Sequence, residues 1–119
     1  MGEEIELQIV ETGTPVEATV VDIVRGKCKD LVPVDRIRSD AIRQRWQRMA
    51  DRDCIQIAVD VGGMVYYLFP IVVSNNPRST FYRLLKAYGT KDGNVYRLKK
   101  GSRIKVVINE RGFPRVYLP

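Results

Sequence analysis

The chain has 119 residues, 45% hydrophobic and 29% charged, which suits one globular domain with a single buried core and leaves no room for a second. No apolar run reaches the ~20 residues of a membrane-spanning helix, and the opening MGEEIELQIVE is acidic where a signal peptide is basic and then apolar; the expectation is a soluble, cytoplasmic protein with no membrane partner. A net charge of +6 without a single histidine points to an anionic partner and removes the commonest general base and metal ligand.

Residues 1–15 read as an acidic arm: Glu3, Glu4, Glu6 and Glu11 precede the breaker Thr12-Gly13-Thr14-Pro15. VEATVVDIV, residues 16–24, is rich in β-branched side chains and predicts the first long strand, ended by Gly26. Residues 26–53 form a basic insertion. Within it Ser39 is a helix N-cap, followed by Ala41, Ile42, Arg45, Trp46 and Met49 at helical spacing. Trp46 sits at the centre of that stripe and is expected to anchor the helix on the sheet.

CIQIAVDV, residues 54–61, alternates cleanly and meets Gly62-Gly63, a two-residue loop in which both positions accept positive φ without a steric penalty. A hairpin follows, and its register can be counted. Val61 pairs with Met64, Val59 with Tyr66, Ile57 with Leu68 and Ile55 with Pro70, so these residues share the core face. Tyr67 and Phe69 then fall on the other face, opposite Ala58 and Gln56, where a half-buried antiparallel sheet meets water.

After Ser74-Asn75-Asn76-Pro77, a cap-and-proline start, Phe81, Leu84, Leu85 and Tyr88 repeat at i, i+3, i+4 and i+7 until Gly89, predicting a helix over about 77–88. Lys91-Asp92-Gly93 is a turn. SRIKVVIN, residues 102–109, alternates, and Glu110-Arg111-Gly112 returns it into a last strand over 113–118.

Charge is not spread evenly along this order. Residues 1–24 carry six acids and no base, residues 25–52 nine Lys/Arg against four Asp, and residues 78–119 eleven Lys/Arg against Asp92 and Glu110. Such asymmetry suits a polyanionic partner; the alternative is an ion-paired, solvated surface of the kind heat-adapted proteins carry. Cys28 and Cys54 match no CxxC pair, and the reading is two reduced, partly buried thiols, with a disulfide as the alternative.

Strands at 16–25, 54–61, 64–73, 102–109 and 113–118, a helix after the third and an enlarged helical loop after the first give a mainly β protein with two helices. That order resembles the OB-fold, a five-stranded Greek-key barrel, over residues 16–119. Within it, VEATVVDIV, the Gly62-Gly63 hairpin, RSTFYRLLKAYG and LKKGSRIKVVINERGFPRVYL are similar to the small single-stranded-DNA-binding proteins of archaea and their viruses or plasmids. The resemblance implies that the second and third strands and their flanking loops hold unstacked bases. Asp60, acidic on that same face, departs from it.

The residue chemistry points the same way. Single strands are held by aromatic faces that stack bases and by Lys/Arg that neutralise phosphates. Tyr67 and Phe69 are the candidate stackers; Arg43, Arg45 and Arg48 from the insertion and Lys99, Lys100, Arg103, Lys105 and Arg111 from the last third are the candidate phosphate contacts. The expected activity is therefore non-enzymatic binding of single-stranded DNA or RNA, without cofactor or metal. Asp51, Asp53 and Asp60, the one conceivable Mg²⁺ cluster, straddle a loop and a strand with no motif behind them. The rival is a small β-barrel interaction module that recruits a partner or forms a homodimer through Tyr67, Phe69 and the insertion helix.

Overall fold

In the computed structural model, which describes residues 14–32, 39–109 and 112–118, the first strand β1 (Val16–Lys27) runs straight through Gly26, the residue expected to stop it. Gly26 pairs with Cys54 and Lys27 with Asp53. A β-carbon at Gly26 would stand 3.8 Å from the Leu31 side chain, an ordinary contact, so the strand continues through this position without a need for glycine. One helical turn not foreseen from the sequence, α1 (Cys28–Leu31), follows at once and closes with the Val32 N–H donating to the Cys28 carbonyl at 3.2 Å. Ser39 caps α2 (Asp40–Met49) as predicted, its hydroxyl accepting the Ile42 N–H. The described residues thus hold three helices where two were expected. The acidic arm lies outside the described residues apart from Thr14 and Pro15.

β2 (Asp53–Val61) and β3 (Met64–Tyr67) meet at Gly62 and Gly63, whose φ angles are 59° and 91°. Val61 pairs with Met64 and Val59 with Tyr66, as counted, and the Leu68 N–H donates to the Ile57 carbonyl at 2.8 Å. One step further the count fails. Ile55 pairs with Ile71 rather than Pro70, and the predicted long third strand breaks, leaving the separate β4 (Ile71–Val72). Pro70 has no N–H to give the ladder, so the chain takes up one extra residue before pairing resumes.

Ser79, its hydroxyl accepting the Tyr82 N–H at 3.1 Å, caps α3 (Thr80–Tyr88). The helix starts later than predicted because the Asn76 side chain accepts the Arg78 N–H at 3.0 Å and holds residues 76–79 in a turn. It ends at Gly89, which turns to extended backbone while its N–H donates to the Leu85 carbonyl at 2.8 Å; a β-carbon there would overlap that oxygen. A small hairpin, β5 (Thr90–Asp92) and β6 (Val95–Arg97), leads to β7 (Arg103–Ile108) and β8 (Pro114–Val116).

The main sheet has six strands, all pairings antiparallel, in the order β3-β2-β1-β7-β8 with β4 also on β2; β5 and β6 pair apart from it. The predicted barrel does not close: among the described residues no ladder joins β8 to β3 or β4. The edges that would meet are short and carry Pro70 and Pro114, neither with a backbone N–H to donate. The sheet nevertheless curls. Val20, Ile57, Val59, Leu68, Ile104 and Val106 bury one face, Leu84 of α3 plugs it, and Ile71 from one edge and Val116 and Leu118 from the other pack on the same cluster. Each such side chain contributes about 1.5–3 kcal/mol on burial.

A second, smaller core seats the insertion. Cys28, Trp46 and Cys54 are fully buried there, with Leu31, Val32, Met49 and Val72 around them. The two cysteines are not free thiols. They form a disulfide across 26 residues of sequence, with Cα atoms 5.1 Å apart, tying the start of α1 to β2. No described helix is long and apolar enough to cross a membrane.

Candidate nucleic-acid interface

Directly opposed residues of an antiparallel sheet share a face, so the ladder registers assign the outer surface row by row. Tyr67 stands opposite Ala58, and Ala58 opposite Asp22, giving one row across β3, β2 and β1. Lys100 extends it: its Nζ lies 3.3 Å from Asp22 Oδ1. The next row is Val65, Asp60, Thr19 and Arg103, and beyond it Glu17 faces Lys105. Lys100 reaches the row because the turn at 99–102 is laced to β1, with the Gly101 N–H donating to the Val20 carbonyl at 2.7 Å and the Val20 N–H to the Ser102 carbonyl at 2.8 Å. Segments far apart in sequence thereby place Tyr67, Lys100, Arg103 and Lys105 on one face, with Lys99 exposed at its edge.

Tyr67 is 66% exposed over the small Ala58, and Phe69 is 50% exposed. Their settings differ. Phe69, carried on the break before Pro70, meets the Trp46 ring edge-on with centroids 5.0 Å apart. Trp46 is the packed anchor of the insertion, 1% exposed, its Nε1–H donating to the Val32 carbonyl at 2.8 Å. One side of Phe69 is therefore braced and the other open. A third aromatic was not foreseen: Phe113, 65% exposed, follows the β7–β8 turn on the far side of the unclosed seam. Its N–H donates to Asn109 Oδ1 at 2.9 Å, which fixes the backbone where the ring leaves it. Tyr67, Phe69 and Phe113 line one groove of about 310 Å³, floored by Leu68, Pro70 and Pro114.

Two of the acids on this face, Asp60 and Asp22, are engaged locally. Asp60 Oδ1 accepts the Gly63 N–H at 2.9 Å, so the carboxylate that departs from a basic surface is a cap on the Gly-Gly turn. Asp22 accepts the N–H of Ile23 at 2.9 Å and pairs with Lys100.

The insertion arginines, the other candidate phosphate contacts, lie on α2 away from this groove. Arg43 is half-buried and pairs with Asp40 at 3.3 Å; Arg45 and Arg48 are exposed on α2 but do not line the aromatic groove. Arg111 lies outside the described residues. Two further ion pairs sit at the base of the insertion: Arg25 of β1 with Asp53 of β2, where the two strands enter and leave it, and Lys29 of α1 with Asp51 within it, the latter at 2.9 Å. The hydrogen bond from its partner holds each aspartate below the usual carboxylate value.

No protein family, characterised protein or solved structure matches this chain.

Proposed function

We propose that this protein binds single-stranded nucleic acid, most naturally single-stranded DNA, without catalysing a reaction on it. The observation that carries the reading is the groove shared by Tyr67, Phe69 and Phe113: three exposed aromatic rings around one cleft, beside a face that bears Lys100, Arg103 and Lys105. Wide bare aromatic surface is costly to expose to water, and bases are the ligands whose π faces cover it in any sequence, at about 1–3 kcal/mol per stacked base. The sheet order β3-β2-β1-β7-β8, with α3 plugging the core and lying in the chain between β3 and β7, supports reading the fold as an OB-like barrel left partly open. In such a fold the β2–β3 face is where single strands lie.

A fluorescence-anisotropy titration tests this with labelled single-stranded DNA, single-stranded RNA and duplex DNA at two salt concentrations. Affinity for a single strand is expected to exceed that for the duplex and to fall steeply with salt. Tyr67→Ala and Phe113→Ala are each expected to weaken it by about fivefold to a hundredfold, the equivalent of one stacked base. Binding indifferent to salt or to both substitutions sinks the proposal. One observation favours a second reading as an interaction module or homodimer: β3 is a sheet edge that exposes Met64 and Val65. A dimer in light scattering that Val65→Lys dissolves, with no oligonucleotide binding, would establish that reading instead.

A further inference from the structure

The aromatic groove does not end at the seam between the two sheet edges. Leu68, Phe69, Pro70 and Pro114, which line it, also line a larger cleft of about 610 Å³ that contains Arg52 and Arg115. Thr80, Arg115 and Val116 continue that cleft into a third depression, which Arg83 and Leu118 join to a fourth, of about 660 Å³, beside Lys86 of α3 and Arg78 of the turn that precedes it. These four depressions share walls in sequence, and together they form one track from the aromatic face, through the gap left by the unclosed sheet, onto the outer surface of α3.

Its chemistry changes along the way. The first part is lined by rings and prolines, the rest by Arg52, Arg115, Arg83, Arg78 and Lys86, and among the described residues no aspartate or glutamate lines any part. On the sheet face, by contrast, Asp22, Asp60 and Glu17 alternate with the bases. None of the described ion pairs uses Arg52, Arg78, Arg83 or Lys86. Five cations without an interleaved acid give a stripe of one sign, and a flexible chain of phosphates is the partner whose charge spacing follows such a stripe around a corner; a rigid duplex does not turn through a narrow seam.

We propose that a bound single strand, having stacked its bases on Tyr67, Phe69 and Phe113, passes through the seam between β4 and β8 and lays its backbone along Arg52, Arg115, Arg83, Arg78 and Lys86. This rests on the single-strand reading and extends it: the aromatic groove holds bases, the α3 track holds phosphates, and the unclosed barrel is the passage between them. It follows that affinity grows with oligonucleotide length beyond what the aromatic groove accommodates.

The experiment compares the unaltered protein with Arg78→Ala/Arg83→Ala/Lys86→Ala, three exposed positions whose truncation leaves the core intact, by anisotropy with single strands of about 4 and about 16 nucleotides, the limits of site size for one small barrel. The triple variant is expected to bind the short strand within about twofold of the unaltered protein and the long strand about tenfold or more weakly. The slope of log affinity against log salt for the long strand falls by about 2, from the loss of three phosphate contacts on a single strand. Equal loss for both lengths, or no loss for the long strand, overturns the track and leaves the aromatic site standing. Failure of the unaltered protein to bind either strand overturns both. Polyglutamate displacing the long strand as well as an unlabelled strand does would assign the stripe to an acidic protein and overturn it as a nucleic-acid path.

Discussion

Removing the Cys28–Cys54 bridge is the perturbation whose magnitude the structure defines best. The disulfide closes a loop of 26 residues that contains α1, α2 and every fully buried residue of the second core. Constraining an unfolded chain over that length is worth about 3.5 kcal/mol by loop-closure entropy. Both cysteines are fully buried, so the native state around them is already packed and little relaxation offsets the loss. Cys28→Ala/Cys54→Ala should therefore lower the melting temperature by roughly 10–20 °C for a domain of this size. Reductant should move the melt of the unaltered protein by a similar amount and leave the double variant unchanged. Differential scanning calorimetry reads the melt, and a thiol titration of the unfolded protein before and after reduction reads the bond. Two free thiols without reductant, or melts of variant and unaltered protein that agree within about 1 °C, would refute the reasoning, because the loop length admits no such small effect.

Three further outcomes follow from the same packing. Trp46→Phe removes the hydrogen bond to the Val32 carbonyl, and should cost about 1–3 kcal/mol in a urea melt while loosening the support of Phe69. Asp60→Ala strips the cap from the Gly63 N–H and an acid from the sheet face, so it should lower stability by about 1 kcal/mol and raise single-strand affinity by up to about fivefold at low salt; lower affinity would show that Asp60 has a role beyond the turn. For pH, Asp51 and Asp53 both have folded values below the ordinary 3.8, so the stability they add is present above that value and is lost as pH falls through their lowered values. Fluorescence of Trp46, the single tryptophan, should therefore hold steady from about pH 8 to about pH 5 and report loosening of the insertion only in the acid range beneath 3.8.

What the sequence made legible was whatever repeats locally. Alternation found β2 and β7, Gly62-Gly63 found the hairpin and its register as far as Leu68, and Ser39 found the start of α2. Those signals depend on neighbours within a few residues. The disulfide does not: Cys28 and Cys54 meet because Gly26 carries β1 on to pair with Cys54, so a residue read as a stop was the residue that brought the sulfurs together. A cytoplasmic expectation also favoured thiols, since disulfides persist chiefly in oxidising compartments and in some heat-adapted organisms. Phe113 was counted as the first residue of a strand, and nothing in its own neighbourhood says that the ring stands across a gap from Tyr67.

That gap and the candidate site have one cause. Counting pairs at constant register puts Pro70 in the ladder opposite Ile55, where it cannot donate; the chain answers with an extra residue, which splits the strand after Leu68 and leaves the short β3 and β4 at the edge that would have to pair with β8. Pro114, paired in register with Ile108, likewise brings no N–H to the opposite edge. Had the two edges paired, Phe69 and Phe113 would flank a continuous ladder and the cleft that holds Arg52 and Arg115 would be filled with backbone. The two prolines keep the seam open, the insertion braces one lip through Trp46 and the disulfide, and α3 supplies the cations on the far side. Restoring a donor with Pro70→Val therefore tests both at once: if the seam serves binding, tighter pairing there should raise the melting temperature and weaken the long single strand more than the short one.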